Sequence, residues 1–384
     1  MQRRRVPAFI VLLVLLSSLA AAQTQPREPR YVDVYVKGEG GYDTFRIPAV
    51  IATADGSLLA FAEGRRTGAS DTGDIDLVVK RSRDAGATWS ALEVIGDNGP
   101  NTFGNPCSVL DARTGVLFLF STHNRGTDRE KDIIAGTSQS GRTVWVSRSH
   151  DGGKSWSAPA DLTGHVKRHD WTWYATGPGI GVQTRSGRLI VPANHAVAGT
   201  GVHTSHVIVS DDGGDTWRIG GLSDDGTNES QVVERADGTL MLNMRNHPPK
   251  PAGNFRMVAT SSDGGGTWTP ARPDRTLVEP PAQASILRLT LAASGGRDRL
   301  LFANPASTAR ERMTVRVSYD EGATWPVSRV VQEGPAAYSS LVVLPEGTIG
   351  LLFEGGRQSP YETIAFATFT LEWLSDGRDG IRRR

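Results

Sequence analysis

Short apolar runs recur along the whole chain, and each lies between turns that contain Gly, Asp, Asn or Ser. Five of these runs, rich in Val, cover residues 76–80, 143–147, 206–210, 256–260 and 313–318. Runs of this length and composition, bounded by turn residues, are typical of β-strands. The sequence shows neither a helical period nor a leucine-rich repeat pattern, so the chain is predicted to be all-β.

Each of the five runs leads into the same eight-residue phrase, Ser-x-Asp-x-Gly-x-Thr/Ser-Trp, which we call the boxed turn. Its copies cover residues 82–89, 149–156, 210–217, 261–268 and 318–325. Asp can accept hydrogen bonds from backbone N–H groups ahead of it, and Gly permits a positive φ. The boxed turn is therefore predicted to join two antiparallel strands, with its Asp a turn former and its Trp buried against its own sheet.

A second repeated element indicates the number of structural units. Turns that lead into apolar strands start near residues 55, 114, 186, 237, 297 and 346. A unit repeated every roughly 50 to 70 residues is the signature of a propeller or a solenoid, and closing a ring protects sheet edges. Six such segments against five boxed turns predict a six-bladed β-propeller of four-stranded antiparallel blades, whose last blade lacks the boxed turn. The boxed turns are expected at the rim, far from any functional site.

Charge and composition exclude several kinds of partner. The 384 residues contain 42 Lys and Arg against 41 Asp and Glu, so no bulk field favours nucleic acid or an anionic membrane. A single cysteine, Cys107, allows no internal disulfide. No Gly-rich phosphate loop occurs, and the histidines lack a spacing that compels a metal, with His203 and His206 the nearest candidates. Neither a metal nor an organic cofactor is expected.

The two ends of the chain carry distinct signals. Residues 1–22 combine Arg3 to Arg5, an apolar stretch from Ala8 to Leu16 and three alanines ending at Ala22, a pattern typical of a secretory signal peptide. The apolar stretch is too short for a membrane span. Residues 31–375 are predicted to form one domain, and residues 376–384 a charged, frayed tail. The protein is thus expected to be secreted or periplasmic, and monomeric.

Scattered polar motifs give the chain a specific resemblance. In combination with the boxed turns, they resemble the exo-α-sialidases (neuraminidases) across nearly the whole mature length. The motifs are Phe45-Arg46-Ile47-Pro48, Glu63-Gly64-Arg65, Asn228-Glu229-Ser230, Arg245, Arg310 and Tyr338, in that order. The expected substrates are sialylated glycans, glycoproteins or glycolipids.

The resemblance assigns substrate-binding roles that suit a sugar with a carboxylate on its anomeric carbon. Arg46, Arg245 and Arg310 would hold that carboxylate, because guanidinium groups supply paired, always-charged donors. Glu354 would steady Arg46. Arg65 would contact the ring hydroxyl at carbon 4.

The resemblance also assigns the catalytic roles. Tyr338 would be the nucleophile, since a neutral phenol avoids repulsion by the substrate carboxylate, and sialidases are the tyrosine exception among glycosidases. A phenol titrates near ~10, so it needs a base, and Glu229 matches that role. Asp71 would be the acid and base at the leaving oxygen. The expected reaction is hydrolysis with retained configuration through a tyrosyl intermediate.

Several alternatives stay open on the sequence alone. Arg312 could replace Arg310, and Asp74 or Asp76 could replace Asp71. The segment from Trp171 to Tyr174 could either line a sugar site or pack in the core. A trans-sialidase, a hydrolase for a related 2-keto sugar acid and a non-catalytic glycan-binding propeller are the competing functions.

Overall fold

A computed structural model describes residues 28–247, 253–294 and 296–381 and shows an all-β fold. The signal peptide predicted at residues 1–22 lies outside the described residues. No helix in the described part of the chain is long and apolar enough to cross a membrane.

The strands are numbered in chain order. The first is β1 (Arg30–Val36), followed by β2 (Thr44–Ala52), β3 (Leu58–Arg65), β4 (Ile75–Ser82) and β5 (Glu93–Gly96). Next come β6 (Thr102–Leu110), β7 (Leu117–Asn124), β8 (Thr143–Ser149) and β9 (Ala160–Asp161). The middle holds β10 (Trp171–Thr176), β11 (Gly179–Ile180), β12 (Val182–Gln183), β13 (Leu189–Val197), β14 (His203–Ser210) and β15 (Arg218–Asp225).

The remaining strands and the helices complete the numbering. After the middle come β16 (Thr227–Glu234), β17 (Leu240–Asn246), β18 (Phe255–Ser261) and β19 (Arg272–Val278). The last strands are β20 (Ser285–Thr290), β21 (Arg299–Pro305), β22 (Glu311–Ser318), β23 (Val327–Val343), β24 (Ile349–Gly355) and β25 (Thr363–Phe369). The helices within the described residues are α1 (Glu130–Ala135), α2 (Thr163–Val166) and α3 (Leu371–Leu374).

Antiparallel pairing joins these strands in successive groups of four. The groups are β2-β3-β4-β5, β6-β7-β8-β9, β10-β13-β14-β15, β16-β17-β18-β19 and β20-β21-β22-β23. Strands β24 and β25 continue the sheet of β23, and β1 pairs with β25. The first described strand therefore completes a sixth group with strands from the other end of the chain.

The hydrophobic core lies between neighbouring groups. Leu59 and Phe61 of β3 pack in one cluster with Leu117 and Leu119 of β7. The same arrangement recurs two groups later in the chain, where β13 and β14 pack on β17. Since the core is divided among several such interfaces, each group depends on its neighbours for burial of its apolar face.

Each boxed turn has the predicted local chemistry. In the first copy, Asp84 Oδ1 accepts hydrogen bonds from Thr88 N at 2.9 Å and Ser82 Oγ at 2.8 Å, while Ser82 Oγ accepts from Gly86 N at 2.8 Å. In the other four copies, the backbone N–H of the Thr or Ser directly before the Trp likewise donates to the Asp carboxylate. These Asp residues face their own turn, and none lines the polar cleft described below.

The boxed turns contact the preceding group, which the sequence did not predict. Rings of Trp89 and Phe366 lie 5.3 Å apart between centroids, in a T-shaped contact from the first group to the sixth. Trp156 and Trp217 likewise pack on aromatic residues of the group before them. These three Trp rings therefore pack on the preceding group as well as in clusters that contain residues of their own sheet, as expected. Only Trp217 and Trp325 are buried, with 4% and 9% exposure.

The boxed glycine explains this close approach. It has a φ of +85° at Gly86 and +92° at Gly214, which L side chains rarely adopt. A Cβ on Gly86 would lie 2.1 Å from Phe366, and one on Gly214 would lie 2.1 Å from Phe118. Glycine is thus required twice, by the turn and by the neighbouring group against which the turn is seated.

The junction between the fifth and sixth groups is built differently. Here β23 runs without interruption from its pairing with β22 to its pairing with β24. The C-terminal segment adds an ion pair of 2.6 Å between Arg299 and Asp379, and Ile381 packs on the neighbouring cluster. The expected frayed tail is therefore wrong for residues 376–381, because these contacts fasten them to the sheet.

Candidate active site

A polar cleft of about 310 Å³ collects most of the predicted site residues. Its lining includes side chains from all six groups. Seven of the eight predicted residues line it: Arg46, Arg65, Asp71, Glu229, Arg245, Arg310 and Tyr338. The eighth, Glu354, is fully buried behind Arg46.

Tyr338 and Glu229 form the centre of the cleft. The Tyr338 hydroxyl lies 2.6 and 2.7 Å from the two carboxylate oxygens of Glu229, and both residues are buried. Arg245 donates from Nη1 to Glu229 Oε2 at 2.8 Å and to the Tyr338 hydroxyl at 3.3 Å. Burial and the negative charge of Glu229 raise the pKa of Tyr338. The phenol is therefore neutral, and its O–H group donates a hydrogen bond to Glu229.

Arg46 is held rigidly by Glu354. Its Nε and Nη2 donate to the two oxygens of that carboxylate at 3.0 and 3.2 Å. Glu354 also accepts from the backbone N–H groups of Ile47 at 2.8 Å and Tyr338 at 3.1 Å. These four hydrogen bonds compensate for the cost of burying the Glu354 carboxylate. The β2–β3 register shifts just after Arg46, where Ile47 has a φ of 60°, and this irregularity places Ile47 N–H on Glu354.

The rings of two tyrosines flank the Arg46 guanidinium. Its Cζ lies 5.1 Å from the ring centroid of Tyr338 and 4.3 Å from that of Tyr361. Arg310, just before β22, donates to the Tyr361 hydroxyl and to Pro281 O, the latter at 2.8 Å. Its Cζ lies 5.5 Å from the Tyr338 ring centroid. The three predicted clamp arginines thus surround one phenol.

Arg65 and Asp71 form the opposite edge of the cleft. Arg65 Nη1 lies 2.8 Å from Asp71 Oδ1, and Arg46 Nη1 lies 3.6 Å from the same oxygen. Burial raises the pKa of Asp71, but the charges of Arg65 and Arg46 outweigh it and hold the pKa below its ordinary value. Asp71 is therefore an ionised carboxylate that bridges two arginines.

Glu63 was missed as a site residue, although it stands in the motif that contains Arg65. Its Oε2 accepts from Arg65 Nε at 3.0 Å, and its Oε1 accepts from the backbone of Asn105 at 2.7 Å. Alternate residues of a strand point to one face, so the spacing of Glu63 and Arg65 on β3 was the available signal. Glu63 orients Arg65 and connects it to the next group.

Arg142 is a further arginine of the cleft that the sequence did not reveal. It is 2% exposed, donates to Asn105 Oδ1 at 2.7 Å and to Asn124 Oδ1 at 2.9 Å, and lies 4.0 Å from the Trp173 ring centroid. Burial lowers its pKa against the raising effect of Glu63 and Glu130. Among the described residues, no carboxylate oxygen lies within 4.0 Å of the Arg142 guanidinium. Nothing in its local sequence distinguishes Arg142 from a surface arginine.

Two other polar residues face the cleft beside Arg142. Burial, and then the charge of Asp71, raise the pKa of Glu130 at the start of α1. Asn194 on β13 is 1% exposed, and neither atom of its amide has a hydrogen-bond partner in the described structure. Both residues lie in segments that carry no recognisable motif, so only the fold brings them to the site.

The alternatives considered from sequence fall elsewhere. Arg312 is exposed and pairs with Glu333 at 3.3 Å, while Asp76 binds Tyr42 and Arg66 behind the first group. Trp173 lines the cleft, whereas Trp171 and Tyr174 pack in the core. Among the described residues, no group of three His, Cys, Asp or Glu side chains is arranged to hold a metal ion.

Comparisons with known proteins agree with this arrangement. Residues 56–351 match the model of the BNR repeat-like domain. A sialidase of Micromonospora viridifaciens is 35% identical over 97% of this chain, which spans 60% of that relative's length. An exo-alpha-sialidase of Aspergillus fumigatus is 34% identical over 88% of this chain and 86% of its own length.

A solved structure gives the same result. A Hadza microbial sialidase superposes with a TM-score of 0.80 at 30% identity, covering 90% of this chain and 69% of that one. On these grounds the chain belongs to the sialidase family of glycoside hydrolases.

Proposed function

We propose that this protein is an exo-α-sialidase that hydrolyses terminal α-linked sialic acids with retention, through a covalent tyrosyl intermediate. One observation carries the proposal: the Tyr338 hydroxyl contacts both oxygens of Glu229 inside a cleft lined by arginines. A buried phenol against a buried carboxylate is the arrangement of an activated nucleophile and its base. A glycan-binding protein without catalysis has no need of that pair.

Substrate capture rests on Arg46, Arg245 and Arg310. Arg46 and Arg245 already pair with Glu354 and Glu229, whereas Arg310 has no carboxylate within ion-pair distance among the described residues. A ligand carboxylate placed over the Tyr338 ring would receive donors from all three. Charge-assisted, two-pronged hydrogen bonds are the strong ones, so this contact fixes the sugar's orientation.

In the first step, Tyr338 Oη forms a bond to the anomeric carbon as the bond from that carbon to the aglycone oxygen breaks. The phenolic proton passes to Glu229, and Asp71 gives its proton to the departing oxygen. In the second step, water attacks the anomeric carbon as the bond from that carbon to Tyr338 Oη breaks, Asp71 accepts the water proton, and Glu229 returns its proton to Tyr338. Two displacements at one carbon restore the original configuration.

Asp71 needs a proton before the first step, yet the arginines around it favour its ionised form. A bound substrate carboxylate would compete for Arg46 and add a negative charge near Asp71. Both effects raise the pKa of Asp71. Substrate binding would thereby prepare the acid it needs, and we expect an acidic to near-neutral pH optimum.

Three further parts of the proposal concern the whole protein. The groups of four strands, with β1 completing the last group, support a closed six-bladed propeller. The sequence of residues 1–22 supports secretion or export to the periplasm. The polar lining of the cleft supports action on the ends of sialylated glycans, and the protein is proposed to act as a monomer.

The direct test uses a fluorinated sialosyl substrate that accumulates the glycosyl-enzyme, followed by peptide mapping. Label on Tyr338 is expected. Label on Glu229 or Asp71 would refute the tyrosyl intermediate even if the protein released sialic acid. Product analysis by NMR, which follows the first-formed anomer, checks retention, and turnover of α-sialosides in water separates hydrolysis from transfer.

A further inference from the structure

The backbone of Glu229 lies where the sheet ladder is interrupted. The pairing between β16 and β17 shifts register between Thr227 and Ser230, so the two residues between them lack regular ladder partners. Glu229 nevertheless holds both carboxylate oxygens on a single phenol. Another contact must therefore fix its backbone.

That contact is the side chain of Asn228. Its Oδ1 accepts a hydrogen bond from Glu229 N at 2.6 Å, and its Nδ2 lies 2.9 Å from His203 Nδ1 on β14. The backbone carbonyl of Asn228 accepts from the Ser205 hydroxyl, also on β14. Asn228 is thus held at three atoms by its neighbours, and two of these bonds come from the third group of strands.

The bond to Glu229 determines the state of His203. Because an amide oxygen must accept from Glu229 N, the amide nitrogen faces His203 and can only donate. His203 Nδ1 must therefore be an unprotonated acceptor, with the ring hydrogen on Nε2. The imidazole is 2% exposed and packs against His247 in a tilted contact, at 4.1 Å between centroids. Burial lowers the pKa of His203 to about 3, helped by His247 and Arg245, so the neutral ring fits its surroundings.

We propose that neutral His203 is a positioning residue, which acts through the Asn228 amide to hold Glu229 on the Tyr338 hydroxyl. The inference rests on the proposed role of Glu229 as the base. His203 does not line the cleft, so it acts on the chemical step and leaves substrate capture to the arginines. Misplacing a catalytic group by about 1 Å can cost on the order of 10²-fold in rate.

The test compares His203→Leu, which removes the acceptor, with His203→Gln, which can offer an amide oxygen to Asn228. For His203→Leu, kcat on a sialoside is expected to fall about 10- to 100-fold, while KM changes less than about twofold. His203→Gln should recover most of the loss. His195→Leu is the matched control, since His195 is equally buried but bonds to His206, away from Glu229. It should lower the melting temperature without lowering kcat.

Equal kcat losses in His203→Leu and His203→Gln, or a similar loss in His195→Leu, would overturn the inference. A second measurement does not depend on activity or on the Leu variant. Long-range 15N–1H NMR of the unmutated protein, assigned with His203→Gln, should show the ring proton on Nε2 at neutral pH. A proton on Nδ1 would refute the Asn228 contact. A protein that turns over no sialoside would instead contradict the proposed function, and the tautomer would still test the contact.

Discussion

The boxed turns and the cleft use the same polar residue types in opposite ways. In a boxed turn, Asp84 bonds only to groups within four residues of itself, and the pattern recurs five times. In the cleft, Arg46 bonds to Glu354 across 308 residues, and Tyr338 to Glu229 across 109. Local bonds can be copied from unit to unit. Long-range bonds occur once each.

This difference also separates two causes of a low carboxylate pKa. Hydrogen bonds from its own turn lower the pKa of Asp84 to about 2, at full exposure to solvent. The pKa of Asp71 is also low, but here the charges of Arg65 and Arg46 lower it against the raising effect of burial. A ligand can change the second environment and not the first. Of these two carboxylates, only Asp71 could therefore change its protonation when a ligand binds in the cleft.

The largest expected effect is on the cleft. Tyr338→Phe should lower kcat by on the order of 10³-fold or more, because it removes the attacking oxygen. The fold should be retained, since the ring still packs between Arg46 and Arg310. Steady-state kinetics and a thermal melt measure the two properties. A variant that keeps near-normal kcat would exclude Tyr338 as the nucleophile.

Asp71→Ala should affect poor leaving groups most. Loss of a general acid costs about 10²- to 10⁴-fold on a glycan substrate, and less on a nitrophenyl sialoside that needs no proton. In the unmutated protein without substrate, the pKa of Asp71 is depressed, so kcat/KM should fall as the pH rises from the acidic range. Because bound substrate is expected to raise this pKa, kcat should fall only at higher pH. Both dependences should vanish in the variant. If they persist, another residue supplies the proton.

Trp217→Ala tests the other side of the comparison. Removing this buried ring from its contacts with Phe118 and Phe120 should destabilise the protein by about 3 to 5 kcal/mol. The kcat of the folded fraction should not change, because no boxed residue lines the cleft. Urea unfolding and kinetics at low temperature measure these effects. If Trp217→Ala lowered kcat without lowering stability, the boxed turns could not be treated as separate from the chemistry of the cleft.

Arg310→Lys should weaken substrate capture. The loss of a charge-assisted pair of bonds is worth about 1.5 to 3 kcal/mol, or roughly 10- to 150-fold in kcat/KM. Arg312→Lys, two residues further on and paired with Glu333 outside the cleft, is the matched control and should be neutral. Equal effects of the two substitutions would mean that Arg310 acts through charge at a distance and makes no specific contact.

The smallest effect is expected at Asp84. The folded pKa of about 2 lies below the ordinary value of 3.8, so this carboxylate stabilises the fold above about pH 4 and loses that contribution as pH falls towards 2. Asp84→Ala should therefore lower the melting temperature at neutral pH, with the difference closing on acidification. Melts across that range test it. If the difference in melting temperature did not depend on pH, the effect would come from the shape of the turn and not from the charge of Asp84.

The repeated features were predictable from sequence because their causes are local. The boxed hydrogen bonds, the short strands and the order of groups follow from turn chemistry and apolar runs. The eight proposed site residues came from resemblance, and they lie together. Arg142, Asn194 and Glu130 could not be found this way, since only long-range packing brings them to the cleft. The seating of each boxed turn on the preceding group was missed for the same reason.

The contact of Gly86 and Trp89 with Phe366 has a consequence for synthesis on the ribosome. The first boxed turn leaves the ribosome long before its partner, and β1 must also wait for β25. Contacts between the two ends of a chain make folding slow and expose unpaired strand edges meanwhile. Chains released without their last strand would present an open edge on β24 and an uncovered Trp89, which are features that promote aggregation.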